Sequence, residues 1–273
     1  MDKKENESYS TTRGMTAMIF AAGLGTRFKP WTDKHPKALA PVNGKSLLQH
    51  NIEYLQQYGI NDIIINVHHF ADQVITALKD NKGWGSRIVI SDERNEVLET
   101  GGGLLKARSL FKAGEKFITC NVDILTNLDI TRLVAFHEHK KALISFGVTN
   151  RKTSRYLLFD EESRLCGWRN VKTGEEKGPA FTKFTSLDPV TGKSTATVTG
   201  AAKKNIFEKA YSCVAVFDFR IFDLIPFTGK FSLIDVYLAL AADHPIFGYD
   251  HSGDKFVDVG KPESIAVAES IFP

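Results

Sequence analysis

The sequence predicts an α/β fold, a doubly wound sheet with helices on its faces, and three observations point to it. Apolar runs of strand length alternate with segments of helical spacing from Met15 through Asp123. The first of these runs, "MTAMIFAA", is continuously apolar, as a parallel strand buried on both faces must be. It ends at Gly23, where a loop at the C-terminal edge of such a sheet opens a ligand site.

The elements follow in order. After "PVNGKS", Leu47, Leu48, Ile52 and Leu55 fall at helical spacings, and Gly59 stops the helix. "DIIINVHH" resumes as a strand, and a second helix is expected from Ala71 to Lys79. A strand at "SRIVISDE", a helix across "GGGLLKARSLF" and the strand "KFITCNVD" continue the βα pattern. "TRLVAFHEHK" and "ALISFGVTN" add one more turn of it. The texture changes between residues 151 and 205, where "YLLFDEESRLCGWRNVKTGEEKG" reads as strand, turn and strand, and "PVTGKSTATVTGAAKKN" is rich in small and polar residues. This stretch is expected to be a β excursion or insertion near the mouth of the site. The core returns with "FEKAYSCVAVFDFRIFDLI", the helix "SLIDVYLALAAD", and two short strands, a turn and a terminal helix in "IFGYDHSGDKFVDVGKPESIAVAES".

Length and composition set further bounds. At 273 residues the chain can bury a substantial core, either as one large domain or as a core with an inserted subdomain; the reading adopted is one domain over residues 15–273. Residues 1–14, "MDKKENESYSTTRG", are polar with no apolar signal region, so a disordered leader is expected there. Cys120, Cys166 and Cys213 are odd in number and scattered, which fits a reducing, cytoplasmic setting and argues against a zinc site. A net charge of +3 is too small and dispersed to announce a nucleic-acid partner. No run reaches membrane-spanning length without charges.

The glycines of "AAGLGTRFKPWTDKHPKAL" satisfy neither common phosphate-loop rule. "GLGTRF" lacks the third glycine of the dinucleotide fingerprint, and "NGKS" and "TGKS" lack the upstream glycine of the nucleoside triphosphatase loop. Gly23 and Gly25 read equally as an ordinary strand-to-helix turn or as a place where backbone amides approach a polyphosphate. Arg27 and Lys37 are suited to neutralise phosphate oxygens, with Pro36 restraining the chain before the lysine. Taken alone, Asp123 and Asp258 read more readily as a helix cap and a surface turn residue than as a site. His68-His69 and His137-x-His139 lack a complete metal-ligand set, and His35 reads as a structural or solvent-facing neighbour of Lys37.

As an ordered set, "AAGLGTRFKPWTDKHPKALAPVNGKSLLQH", "ETGGGLLKA", "NVD", "FEKAYS", "FSLIDVY" and "FVDVGKPES" resemble the sugar nucleotidyltransferase superfamily, especially its small bacterial sugar-1-phosphate members. The resemblance spans Met15 to Ala268. It implies a Rossmann-like mixed sheet flanked by helices, with a β excursion at the sugar site. It also implies transfer of a nucleoside monophosphate from an NTP to a sugar 1-phosphate, with release of pyrophosphate. Arg27, Lys37 and Asp123 are then the catalytic residues, and Asp123 and Asp258 the ligands of Mg2+. Ala22, Gly23, Gly25, Thr26 and Arg27, with Glu99 and the backbone of Thr100, Gly101 and Gly102, are the implied nucleotide contacts. Glu208 and Lys209 are the implied sugar-phosphate contacts, with Lys177, Lys183, Lys203 and Lys204 as competitors. Val122 departs from the pattern, because many relatives carry glycine there, so the signature leaves the base unassigned. The narrowest expectation is UTP with N-acetylmuramic acid 1-phosphate. The competing readings are a mannose-1-phosphate guanylyltransferase and a noncatalytic nucleotide-sugar sensor. The sequence admits a homodimer but carries no periodicity that would establish one.

Overall fold

The computed structural model describes residues 11–181, 184–187, 194–197 and 205–272. Its first half follows the expected alternation. β1 (Thr16–Phe20) leads through the glycine loop to a small hairpin, β2 (Pro41–Val42) and β3 (Lys45–Ser46), and then to α1 (Leu47–Gln56). The Ser46 hydroxyl caps α1 by accepting from Gln49 N at 3.1 Å. β4 (Asp62–Val67), α2 (Ala71–Asp80), β5 (Arg87–Asp92), α3 (Glu99–Lys106) and β6 (Phe117–Asn121) follow. α3 begins at Glu99, ahead of the glycines at which the sequence pattern places its start.

Beyond β6 the chain forms β7 (Ile124–Thr126), α4 (Ile130–His139) and β8 (Ile144–Thr149). The excursion contributes β9 (Arg155–Phe159), β10 (Leu165–Asn170) and β11 (Glu175–Lys177), and a further hairpin joins β12 (Phe184–Leu187) to β13 (Ser194–Thr197). The core resumes with the long β14 (Phe207–Phe217), α5 (Ile221–Leu224) and α6 (Leu233–Leu240), then β15 (Ile246–Asp250), β16 (Phe256–Asp258) and α7 (Ser264–Ile271).

The main sheet is mixed. β6, β1, β4 and β5 are parallel neighbours, while β14 pairs antiparallel with β6, placing Val214 opposite Cys120. β8 pairs antiparallel with β14 and parallel with β15, so β8 and β15 run in the same sense as β6. The C-terminal ends of β1, β4, β6, β8 and β15 therefore share one edge, where ligands of open α/β sheets bind.

Burial on both faces explains the continuous apolar strands. Ala17 and Ile19 of β1 join one core cluster with α1, α2 and α4, while Met18 and Phe20 join a second with Leu104 and Tyr237 of α3 and α6. Among the described residues no helix is long and apolar enough to cross a membrane.

One short element was not legible in advance. β7 pairs antiparallel with β16, with Ile124 opposite Asp258, Leu125 opposite Val257 and Thr126 opposite Phe256. Val259 N also donates to Asp123 O at 2.8 Å. This ribbon draws the C-terminal region of the chain back onto the end of β6.

Candidate functional site

The loop after β1 is held from beneath by Asn66, near the end of β4. Its Oδ1 accepts from Ala21 N at 2.7 Å and from Ala22 N at 3.3 Å, and its Nδ2 donates to Glu93 Oε1 at 2.8 Å. Gly25 adopts a left-handed φ of 61°, and a Cβ there would meet Thr32 Cγ2 at 2.8 Å, so shape and conformation both require glycine. Gly23 has open space around it and no such demand. The Thr32 hydroxyl and Phe28 N both donate to Gly25 O, at 2.9 and 2.8 Å. Arg27 rides on the single turn Thr26–Phe28 and is exposed.

The same wrapping fixes Lys37. Trp31 Nε1 donates to Pro36 O at 3.2 Å, and the extended Pro36 delivers Lys37 to the next short turn. The ammonium lies 5.6 Å from the centre of the Phe28 ring and 2.5 Å from Asp123 Oδ2. His35 packs on Trp31 at 4.7 Å between ring centres and faces Gln73 at the surface.

Asp123 and Asp258 are brought together by the β7–β16 ribbon. The Asp258 carboxyl is pushed above its ordinary value, first by desolvation and then by the charge of Asp123, while Lys37, Arg151 and Arg27 pull it down. Asp258 is exposed and does not line the adjoining cavity, so its desolvation comes from the groups packed beside it rather than from a sealed interior. A Cβ on Gly260 would stand 2.7 Å from Asp258 Oδ1 and 3.4 Å from Arg27 Nη2. Glycine at 260 thus leaves room for the Asp258 carboxylate and the Arg27 guanidinium beside the same stretch of backbone.

Arg27, Lys37, Asp123 and Asp258 therefore converge, although they come from distant parts of the chain. Two carboxylates supply hard oxygen donors for Mg2+. Among the described residues no group of three or more His, Cys, Asp or Glu side chains forms a cage. That donor set fits a cation that keeps waters and takes its remaining ligands from a phosphate-bearing substrate.

Beside this cluster lies a cavity of about 510 Å³. Ala22, Gly23, Gly25, Thr26, Arg27, Lys37, Asp123, Glu99 and Thr100 line it, as do Asn66, Glu93, Asn121, Val122, Lys230 and Gly260, which motif reading did not single out for the site, Val122 apart. Lys230 stands 3.6 Å from Glu99 at the rim. Glu93 is buried, and desolvation raises its carboxyl above the ordinary glutamate value, with Asn66 opposing.

Gly101 and Gly102 have another duty than the one expected. Neither lines the cavity, and both amides donate to Phe231 O, at 3.0 and 3.2 Å. A Cβ on Gly101 would meet the Phe231 ring at 2.4 Å, and one on Gly102 would meet Gly229 O at 2.2 Å. The Thr100 hydroxyl accepts from Leu233 N at 3.0 Å. The glycine run thus exists to seat α3 against the start of α6.

Glu208 and Lys209 also stand outside the cavity lining. Glu208 pairs with Arg169 at 2.5 Å, and Lys209 Nζ lies 2.5 Å from Asp250 Oδ2 and 2.6 Å from Asn150 Oδ1. Lys177 pairs with Glu175 at 2.9 Å, while Lys183, Lys203 and Lys204 lie outside the described residues. His137 is buried against Ser145, its pKa lowered to about 4 by burial, whereas His139 is exposed, so these two form no metal pair.

Residues 16–179 match the nucleotidyl transferase family. Over 109 residues the chain is 47% identical to the N-acetylmuramate alpha-1-phosphate uridylyltransferase of Caulobacter vibrioides, covering 39% of this chain and 45% of that protein. Over 154 residues it is 35% identical to the mannose-1-phosphate guanylyltransferase catalytic subunit beta of Xenopus tropicalis, covering 55% and 42%. The chain spans about half the length of the curated relatives it matches. In three dimensions it is similar to HddC from Yersinia pseudotuberculosis, with a TM-score of 0.69, 21% identity, and coverage of 95% of this chain and 100% of that one.

Two outcomes are expected. Gly102→Ala should lower stability by about 1–3 kcal/mol, because the added methyl collides with backbone rather than a flexible side chain. Urea unfolding without ligand measures this, and an unchanged midpoint would return the glycine to a ligand role. Glu93→Gln keeps the shape and the bond from Asn66. Because the fold favours the neutral acid, the native state holds its proton more tightly than the unfolded chain. Glu93 therefore subtracts stability as pH rises above the ordinary glutamate value of 4.5. The melting-temperature gain of Glu93→Gln over wild type should be larger at about pH 8 than at about pH 5. A gain that does not grow with pH would contradict the burial argument.

Proposed function

The chain belongs to the nucleotidyl transferase family, and on that premise we propose that it transfers a nucleoside monophosphate from an NTP to a sugar 1-phosphate. The observation that carries this reading is the convergence of Arg27, Lys37, Asp123 and Asp258 beside a cavity of nucleotide size. An oxygen of the sugar phosphate attacks the α-phosphorus of the NTP, the bond to the β-phosphate oxygen breaks, and pyrophosphate departs with the electron pair. The attacking oxygen is already ionised, so no general base is needed. What the protein must supply is alignment and charge compensation.

Arg27, exposed on its short turn, takes the outer phosphates and the departing pyrophosphate. Lys37 lies deeper, with its ammonium over the Phe28 ring, and meets the charge that develops at the α-phosphate. In the free protein Asp123 holds its ammonium in place. Asp123 and Asp258 would hold Mg2+, which when bound withdraws charge from the phosphate oxygens. Asn66 keeps the loop's first amides fixed, so the loop geometry is prepared before the ligand arrives. In this reading residues 15–273 act as one catalytic domain.

For specificity we favour UTP and N-acetylmuramic acid 1-phosphate, supported by the 47% identical stretch shared with the Caulobacter vibrioides protein. The test is a panel of NTPs against N-acetylmuramic acid, mannose and glucose 1-phosphates, read by pyrophosphate release and NDP-sugar formation. Use of GTP with mannose 1-phosphate and none of UTP would reject this specificity; ligand binding without turnover in either direction would favour a noncatalytic sensor. Asp123→Asn should cut kcat by about 10²–10³-fold while the protein stays folded. Near-normal turnover in that variant would remove Asp123 from the reaction.

A further inference from the structure

Arg151 follows β8 at the edge of the sheet that carries the site. Its Nη2 donates to Tyr211 O at 2.8 Å, and its guanidinium lies 4.8 Å from the centre of the Phe256 ring. Tyr211 can spare that carbonyl because β14 breaks register between Tyr211 and Ala215, where Cys213 takes a left-handed φ of 57°. The Arg151 Nε is buried without a hydrogen-bond partner, and among the described residues no carboxylate forms an ion pair with this guanidinium. Neighbouring cations differ: Asp250 balances Lys209, and Glu176 and Glu208 balance Arg169.

One neighbour of Arg151 is also short of a partner. Thr149 Oγ1, at the same strand end, is buried without a hydrogen bond among the described residues, whereas His251 Nδ1 beside it has the Asp254 carboxylate at 3.3 Å. A partly buried guanidinium whose Nε has no partner is costly unless an anion joins it. Its charge reaches Asp258 and Cys213, both of which also feel Asp123 or belong to its cluster. Asp258 thus lies within the fields of two cationic groups, Arg27 with Lys37 and Arg151.

We propose that Arg151 is the cationic contact for the phosphate of the acceptor sugar 1-phosphate. This rests on the transfer reading, in which two phosphoanions must meet at one centre. The triphosphate occupies the Arg27 and Lys37 group, and the acceptor needs separate positive charge to approach against that repulsion. Lys209, the contact expected from the sequence, holds Asp250 and Asn150 in the free protein, whereas Arg151 has no carboxylate ion pair among the described residues.

The test combines turnover with direct binding of N-acetylmuramic acid, mannose and glucose 1-phosphates by calorimetry, using wild type, Arg151→Ala and Arg151→Lys, with melting curves for each. For the sugar phosphate that binds wild type, Arg151→Ala should weaken binding and raise its KM by about tenfold or more, with the KM for NTP changed by less than about twofold. Arg151→Lys, which keeps the charge without the fork, should recover part of the loss. Equal sugar-phosphate affinity in wild type and either folded variant overturns the assignment, even if turnover persists. Binding that depends on Arg151 without any pyrophosphate release overturns the transfer reading and keeps Arg151 as an anion contact. Failure of wild type to bind any of the three overturns both.

Discussion

Three residue pairs between β7 and β16 hold the candidate site together. Leu125 and Val257, both buried, anchor the ribbon in the core, and the bond from Val259 N to Asp123 O extends it. Two carboxylates from distant parts of the sequence are thereby forced to share an edge. Gly260, one step beyond the ribbon, lets Arg27 close over the same spot. Without this ribbon, Asp123 would be an isolated acid at a strand end and Asp258 a residue on a loose C-terminal segment.

Desolvation first, and then the neighbouring charge of Asp123, push the Asp258 carboxyl above its ordinary value. Lys37 relieves the strain by pairing with Asp123, while Arg27 and Arg151 act on Asp258. The site therefore gathers three cations, Arg27, Lys37 and Arg151, around the two carboxylates of Asp123 and Asp258. Such a set is preorganised for a ligand that is itself polyanionic and brings a divalent cation, because each protein charge then finds an opposite partner. The rigidity beneath it comes from neutral contacts, above all Asn66 under the loop and the Thr32 to Gly25 bond within it.

Much of this was legible in the sequence, and the rest for a physical reason was not. The buried parallel strands announced themselves because burial on both faces demands continuous apolar runs. Gly25, Arg27, Lys37 and Asp123 were singled out by the ordered motifs of the family resemblance, since each residue alone reads equally as an ordinary turn, cap or surface charge. β7 was not, since a three-residue strand carries no periodicity. The glycines at 101 and 102 look identical in sequence whether they serve a ligand or, as here, close packing against Gly229 and Phe231. Arg151, Asn66 and Glu93 owe their positions to tertiary contacts with no local signature. Glu208 and Lys209 were legible as charges, but the ion pairs to Arg169 and Asp250 that occupy them were not.

The central claim is that Asp123 and Asp258, joined by the ribbon, hold one divalent cation between protein and nucleotide. The most direct measurement is Mn2+ binding followed by electron paramagnetic resonance, with saturating UTP, in wild type and Asp258→Asn, alongside UTP binding without metal. The account predicts that the substitution weakens Mn2+ binding by about tenfold or more while metal-free UTP binding and the melting temperature hold. Unchanged Mn2+ affinity in the folded variant would contradict it.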